Sequence, residues 1–321
     1  MIVTVTPNPS VDRALLVDRL VRGEVLRTSP HQRDPGGKGI NVSRALHANG
    51  HPTTAVVPVG GSEGELLLRL LDASGVQAVT VPILGSVRSN ITIAEPDGTV
   101  TKLNEPGPEL HPDELQALVN RSIAAAAGAA WLVVSGSLPP GAPTSLLTEL
   151  IQGGRAAGAR TAIDTSGAPL TAALTAAPDL VKPNAEELAE CTGRTLTSIG
   201  DVIDAAHELL DRGAGAVLAS LGPDGALYVD RTCQAHAELA VTHPKSTVGA
   251  GDATLAGFLT ASDQPLAALR AAVAFGAAAV QLPGSQLPGP SDLRRDAVVL
   301  QQDPERARHL SGVPRPTGSR L

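Results

Sequence analysis

Residues 130–141, Ala130-Trp131-Leu132-Val133-Val134-Ser135-Gly136-Ser137-Leu138-Pro139-Pro140-Gly141, read as a short buried strand that runs into a tight polar turn. The apolar run is long enough for a strand covered on both faces and too short for a helix. The prolines stop it, and a helix follows to Ala157. The unit then repeats. Arg160 to Ile163 ends at Asp164, Asp179 to Val181 runs into Lys182-Pro183-Asn184-Ala185-Glu186-Glu187, and Ala216 to Ser220 runs into Leu221-Gly222-Pro223-Asp224-Gly225. A short helix, and a longer one near Asp201 to Arg212, separate these strands. Such alternation predicts an α/β fold: a largely parallel sheet with helices on both faces, in three layers. Polar residues then gather where strands end, at Asp12, Ser137, Asp164, Lys182, Asn184, Glu187 and Ser220. Open α/β sheets bind ligands on that side. Each residue taken singly could be a cap or turn residue.

Working back to the start, Ile2 to Thr6 reads as a buried strand stopped by Pro7 and Pro9, with Asp12 just beyond its end. Ala14 to Arg33 alternates weakly and reads as short strands. Asp34-Pro35-Gly36-Gly37-Lys38-Gly39-Ile40-Asn41 is a glycine turn opening a helix that stops at Gly50, and it suits an anion or a polyol. After a strand at Thr54 to Val59, Ser62-Glu63-Gly64-Glu65 has capping-box spacing before a helix at Leu66 to Leu71. Arg88 to Ala94 and Thr99 to Asn104 flank Asp97-Gly98, a strong hairpin signal. That hairpin (about 86–105) and residues 11–33 are expected to form a small sheet lid over the site. A helix at Pro112 to Ala126 returns the chain to alternation.

The stretch Ser246-Thr247-Val248-Gly249-Ala250-Gly251-Asp252-Ala253 opens another helix, read as Ala253 to Ala261, with a carboxylate at its mouth. Backbone N–H groups at such a turn, aided by the helix dipole, can converge on a phosphate. A dinucleotide fingerprint is excluded because Thr254 stands where its third glycine belongs, and a Walker loop because Gly37-Lys38 has Gln32 at the upstream glycine position.

Composition narrows the classes. The chain has 321 residues, 42% of them hydrophobic, enough for one large domain. It is read as one domain over 1–310, with 311–321 as a disordered tail. A net charge of −7, with Trp131, Tyr228, Phe258 and Phe275 as the only aromatics, argues against nucleic acid. The uncharged apolar run Ile123 to Val134, interrupted by no charge, is too short to span a bilayer, and no basic leader precedes the first strand. No membrane association is expected. Cys191 and Cys233 form no close-spaced pair and the histidines no zinc pattern, which fits a reducing, cytoplasmic setting.

Six motifs carry a resemblance: Thr-Pro-Asn-Pro-Ser-Val-Asp at 6–12, Gly-Gly-Lys-Gly-Ile-Asn-Val-Ser at 36–43, Asn-Glu-Pro-Gly-Pro at 104–108, Ser-Gly-Ser-Leu-Pro-Pro-Gly at 135–141, Lys-Pro-Asn-x-x-Glu at 182–187 and Ser-Thr-Val-Gly-Ala-Gly-Asp at 246–252. Together they resemble the ribokinase-like carbohydrate kinases, and within them the phosphofructokinase B branch, nearest bacterial 1-phosphofructokinases and tagatose-6-phosphate kinases. The resemblance runs from residue 1 to about 295 and implies ATP-dependent phosphorylation of a ketohexose phosphate, foremost fructose 1-phosphate.

By that resemblance Asp252 is the general base, and the N–H groups of Gly249, Ala250 and Gly251 form an anion hole. Lys182 and Asn184 arrange the nucleotide phosphates, with Glu187 reaching Mg²⁺ through water, while Ser220, Gly222, Gly225 and Thr247 border the nucleotide. Asp12, Gly36, Gly37, Asn41 and Ser137 hold the sugar, and Lys38, Arg88 and Arg27 face its phosphate. Val25 stands where some phosphofructokinases of this branch carry lysine, which weighs against fructose 6-phosphate; Gly284 to Pro288 matches the family only loosely. Tagatose-6-phosphate kinase and 6-phosphofructokinase remain alternatives, followed by a kinase for an unphosphorylated sugar or nucleoside and a non-catalytic sensor. A homodimer through the lid sheet is expected.

Overall fold

In the computed structural model, which describes residues 1–28 and 32–311, the buried strand Ile2–Val5 lies inside a ten-stranded sheet. The order is Gln77–Pro82, Thr53–Val59, Ile2–Val5, Trp131–Ser135, Arg160–Asp164, Leu180–Val181, Ala216–Ser220, Ala226–Asp230, Gln234–Glu238 and Val299–Gln301. The first seven pair in parallel, and the last three join antiparallel.

The period of two along a strand divides the core. In Trp131–Ser135, Leu132 and Val134 join a cluster with Leu118, Leu150, Leu170 and Val202, from helices Pro112–Ala126, Ser145–Ala156, Gly167–Leu174 and Ile199–Asp211. Trp131 and Val133 point the other way, to Leu46, Leu255 and Phe275 of helices Lys38–Ala48, Ala250–Leu259 and Pro265–Ala279. This is the expected three-layer α/β/α arrangement.

After Ile2–Val5 the chain builds the sheet to one side, then returns to place Trp131–Ser135 on the other. That reversal opens a crevice at the strand ends, between the loops after Val5 and after Ser135. At the opposite edge a cleft of about 390 Å³ opens beside Trp131. There the indole N–H donates to Ser262 Oγ at 2.9 Å, and the Arg160 guanidinium lies 4.5 Å from the ring centroid.

The expected small sheet is present, but Val17 to Thr28, read as short strands, contribute none, and Asp34 to Gly36, read as a turn, lie in one of its strands. Its four strands run Gln32–Gly36, Ser10–Leu16, Arg88–Ala94, Val100–Asn104, with Ser10–Leu16 parallel to Arg88–Ala94. Residues 29–31 of the lid and 312–321 of the expected tail lie outside the described residues. Asp12 belongs to this sheet rather than to a turn after the first strand.

Several boundaries differ from expectation. The helix Gly61–Ala73 starts at Gly61 with Gly60 as its uncapped N-cap, so Ser62 and Glu65 form no capping box. Glu63 instead receives both a 2.8 Å and a 2.7 Å contact from Arg13 Nη2 and a 3.1 Å bond from Ser89 Oγ, tying the lid to this helix. The helix expected from Ala253 begins at Ala250, which brings Asp252 into its first turn.

Helices Ala250–Leu259 and Pro265–Ala279 meet closely at Gly257, where a Cβ would lie 2.6 Å from the Ala271 carbonyl oxygen and 2.9 Å from Phe275 Cβ. Forcing side-chain volume into such a contact typically costs about 1–3 kcal/mol. Gly257→Val is therefore expected to lower the urea unfolding midpoint; an unchanged midpoint would mean that the two helices part at no cost.

Candidate active site

The helix Ala250–Leu259 points its N-terminus into the crevice. Gly249 precedes it with φ 75°, a left-handed conformation that favours glycine, and no side chain caps the first turn. The first N–H groups of a helix have no partner within it, so this turn presents donors and a positive dipole end together. Asp252 projects from that turn, only 6% exposed, and its Oδ2 accepts from Asn41 Nδ2 at 2.8 Å. Burial and the charge of Asp164 push its carboxyl up to about 6, against the opposing pull of the Asn41 hydrogen bond, Lys38 and Lys182. A carboxyl poised there can take a proton near neutral pH.

Asp164, wholly buried at the end of its strand, organises the cations around that carboxyl. Its Oδ1 lies 2.9 Å from Lys38 Nζ and 3.5 Å from Lys182 Nζ. Burial alone would raise its pKa, but Lys182 and Lys38 hold it below the ordinary carboxylate range. Lys38 also lies 3.6 Å from Glu187 Oε1. Although burial opposes its charge, Asp164 and Glu187 keep this ammonium firmly protonated.

This placement corrects one expectation. Lys38 begins its helix and reaches past Gly136 to Asp164, so it stands beside Asp252 rather than with Arg88 at the far end. Lys182 is 3% exposed, with Nζ 3.5 Å from where a Cβ on Gly251 would be. It therefore lies directly against the glycine turn.

Asn184 and Glu187 form a reciprocal cap on helix Ala185–Thr192. Asn184 Oδ1 accepts from the Glu187 N–H at 2.8 Å, and Glu187 Oε2 accepts from the Asn184 N–H at 2.9 Å. Oε1 is left facing Lys38. Ser220 lies alongside, in a parallel bridge with Asn184. Gly222 borders open space, and Thr247 is exposed at the turn. Gly225 has another reason to be glycine: a Cβ there would meet the Ala237 carbonyl at 2.0 Å, so its place is set by the sheet.

Across the crevice, Asp12 accepts from Ser10 Oγ at 2.7 Å and from Asn90 Nδ2 at 3.0 Å. It also lies against Gly36, whose Cβ, if present, would sit 2.3 Å from Asp12 Oδ1. Gly37, at φ 118°, turns the chain into the helix bearing Lys38 and Asn41. Arg88 donates from Nη2 to the Asn8 carbonyl and from Nη1 to the Glu105 carbonyl, both at 3.0 Å, with Ser137 Oγ at 3.5 Å. Burial lowers its pKa, and Asp12 and Glu105 resist that change. Arg27 is exposed on the loop after Leu16, and no described hydrogen bond or ion pair joins it to this cluster.

Among the described residues, Thr6 Oγ1, Asn8 Oδ1, Arg88 Nε, Asn90 Oδ1, Ser135 Oγ and Asp164 Oδ2 are buried without a hydrogen-bond partner. Buried polar atoms are nearly always paired. These six lie at strand ends and in lid strands around the crevice. Asn8, Asn90 and the central part played by Asp164 were not singled out from sequence. Asn8 and Asp164 sit at strand ends, where a closer reading had a signal; Asn90 had none beyond its place in the lid.

A family model described as pfkB family carbohydrate kinase matches residues 7–292. A 1-phosphofructokinase of Rhodobacter capsulatus is 38% identical over 300 residues, 91% of this chain and 94% of the relative. The crystal structure of Escherichia coli phosphofructokinase-2 in complex with fructose-6-phosphate superposes with a TM-score of 0.83 at 36% identity, covering 91% of this chain and 96% of that one. Arabidopsis thaliana ribokinase complexed with ribose and ATP, at 21% identity and a TM-score of 0.71 over 92% of this chain and 96% of its own, shares the fold.

A carboxyl raised by burial binds its proton more tightly in the folded chain than in the unfolded one. Asp252 therefore detracts from stability as pH rises from its ordinary range toward about 6, and detracts fully above that. Asp252→Asn is expected to stabilise the fold by about 1–3 kcal/mol at pH 7.5 and to be nearly neutral close to pH 4. Urea titrations at the two pH values check this; equal effects at both would contradict the raised pKa.

Proposed function

Because the chain belongs to the pfkB family of carbohydrate kinases, we propose that its crevice transfers the γ-phosphoryl group of ATP to the free primary hydroxyl of a ketohexose phosphate, with fructose 1-phosphate preferred and fructose 1,6-bisphosphate formed. The observation that carries this reading is Asp252, a buried carboxyl of raised pKa on the first turn of an uncapped helix, with Lys38 and Lys182 close by. Asp252 takes the proton of the attacking hydroxyl as the new O–P bond forms. The bond from the γ-phosphorus to the bridging oxygen breaks, and ADP leaves with that oxygen.

The N–H groups of Gly249, Ala250 and Gly251 and the Lys38 ammonium face the charge of the transferring group. Asp12, Gly36, Gly37 and Asn41 position the sugar, and Arg88 with Ser137 meets its phosphate, with Arg27 on the exposed loop after Leu16 as a second cation for that role. Asn184, Ser220, Gly222, Gly225 and Thr247 border the nucleotide, and Lys182 holds the turn. The residues also suit Mg²⁺, which is commonly held by substrate phosphates, water and one or two carboxylates. Glu187 Oε1 and the unpartnered Asp164 Oδ2 are the oxygens available, and Mg²⁺ when bound neutralises phosphate charge. A single kinase domain over 1–310 in a cytoplasmic setting fits the two separate free cysteines. Leu16, Val100 and Leu103, exposed on the small sheet, favour a homodimer joined through it.

The exposed valine at position 25, where some phosphofructokinases carry lysine, favours fructose 1-phosphate, whereas identity alone does not separate the substrates: a 1-phosphofructokinase stands at 38% and an Escherichia coli ATP-dependent 6-phosphofructokinase isozyme 2 at 39%. Among fructose 1-phosphate, fructose 6-phosphate and tagatose 6-phosphate, kcat/KM with Mg²⁺-ATP is expected to be highest for the first. Arg88→Ala should raise the KM of that sugar roughly ten- to hundredfold, as expected for losing a charge-assisted contact to phosphate. Preference for either 6-phosphate would overturn the substrate assignment and leave the kinase reading intact. Asp252→Asn should lose roughly 10²–10⁴ in kcat while still binding ATP, the usual worth of a placed general base. Near-normal turnover by that variant would remove Asp252 from the chemistry.

A further inference from the structure

Asn41 touches Asp252, yet an amide is almost symmetric in shape, and only its partners decide which end faces the carboxylate. The other end meets Arg44, whose Nη1 lies 3.4 Å from Asn41 Oδ1. A guanidinium can only donate, and an ionised carboxylate can only accept. With Arg44 in place, Oδ1 must face the guanidinium and Nδ2 the carboxylate. The flipped amide would be repelled at both ends.

Arg44 is itself held. Its side chain is 15% exposed, and its Nη2 lies 3.6 Å from Asp34 Oδ1. Asp34 Oδ2 accepts from Ser285 Oγ at 2.7 Å, and Gln32 Nε2 donates to Asp34 Oδ1 at 3.1 Å. Asp34 pairs in register with Asp12, whose charge also faces Arg44. A continuous line of polar contacts thus runs from Ser285, in the late proline- and glycine-rich loop, through Asp34, Arg44 and Asn41 to Asp252.

We infer that Arg44 is a positioning residue for phosphoryl transfer, fixing the Asn41 amide so that it donates to Asp252, and that Asp34 and Ser285 fix Arg44. The inference rests on the reading of Asp252 as general base. Without Arg44 the amide is free to turn once Asp252 is protonated and to accept from its O–H, which stabilises the protonated form. Burial and the negative charge of Asp164 then act on Asp252 with only Lys38 and Lys182 against them. Its proton is held to higher pH, and the base is unavailable over a wider acid range.

The test is the pH dependence of kcat for the wild type, Arg44→Met and Arg44→Lys, with KM for ATP alongside. In Arg44→Met the acid limb is expected to move up by about half to one pH unit, so kcat near pH 5 falls about three- to tenfold and kcat near pH 8.5 hardly changes. KM for ATP should stay within about twofold, since no nucleotide-side residue is touched. Arg44→Lys, which can still donate to Oδ1, should recover part of the shift. In an Asn41→Ala background, Arg44→Met should move the limb no further.

A kcat that falls equally at every pH would reduce Arg44 to a structural part, and an undiminished shift in the Asn41→Ala background would mean that it acts on Asp252 by charge alone. Either result overturns the inference. If Arg44→Met does not fold, Asp34→Asn and Ser285→Ala must move the limb the same way by smaller amounts, and an unmoved limb in both overturns it equally. Asp252→Asn separates the two readings. Turnover by that variant sinks the base assignment itself, whereas an inactive Asp252→Asn with an unmoved limb in Arg44→Met sinks only the role of Arg44.

Discussion

The cations beside Asp252 are arranged around one buried negative charge. Asp164 ends its strand with no exposure to solvent, and two ammonium groups converge on a single one of its oxygens. Withdrawing a carboxylate from water is costly, and it persists only where cations and hydrogen bonds compensate. The compensation fixes both lysines: Lys182 is drawn under the glycine turn, and Lys38 is drawn from its helix across to the strand ends. Burial raises the Asp252 carboxyl, and the same charge acts outward to raise it further, making it a better base than an isolated aspartate. One carboxylate therefore orders the cations and tunes its neighbour.

The small sheet supplies the other half of the crevice. Asp12, Asn90 and Arg88 come from its strands, while Asn41, Lys38 and Asp252 come from the three-layer body. The two halves are joined by Gly36, packed on Asp12, and by the Arg13–Glu63–Ser89 contacts that bind the lid to helix Gly61–Ala73. A ligand between Asp12 and Asn41 touches both halves, so its grip depends on how firmly the lid is seated.

Much of this could be read from sequence where a local rule dominates. The helix Pro112–Ala126 and the strand Ala216–Ser220 match expectation residue for residue, because a proline sets the start of one and an unbroken apolar run defines the other. The hairpin around Asp97-Gly98 was equally plain. The strand Gln77–Pro82 was missed because it is a sheet edge, mostly half-exposed and without a clean apolar run. Gln234–Glu238 was missed because its polar ends and central histidine hide a buried middle. In the site, turn chemistry identified Gly37, Gly249 and Asp252. The direction in which Lys38 leans, and the pairing of Glu63 with Arg13, depend on partners dozens of residues away. No local pattern records them.

Trp131, the single tryptophan of the chain, begins its strand, whereas the crevice lies where that strand ends. Its indole is buried under Arg160 and hydrogen-bonded to Ser262 on the far edge of the sheet. Intrinsic indole fluorescence therefore reports the integrity of the three-layer body and is a poor optical witness to nucleotide or sugar occupancy. Observing the crevice by light calls for a tryptophan introduced on the lid.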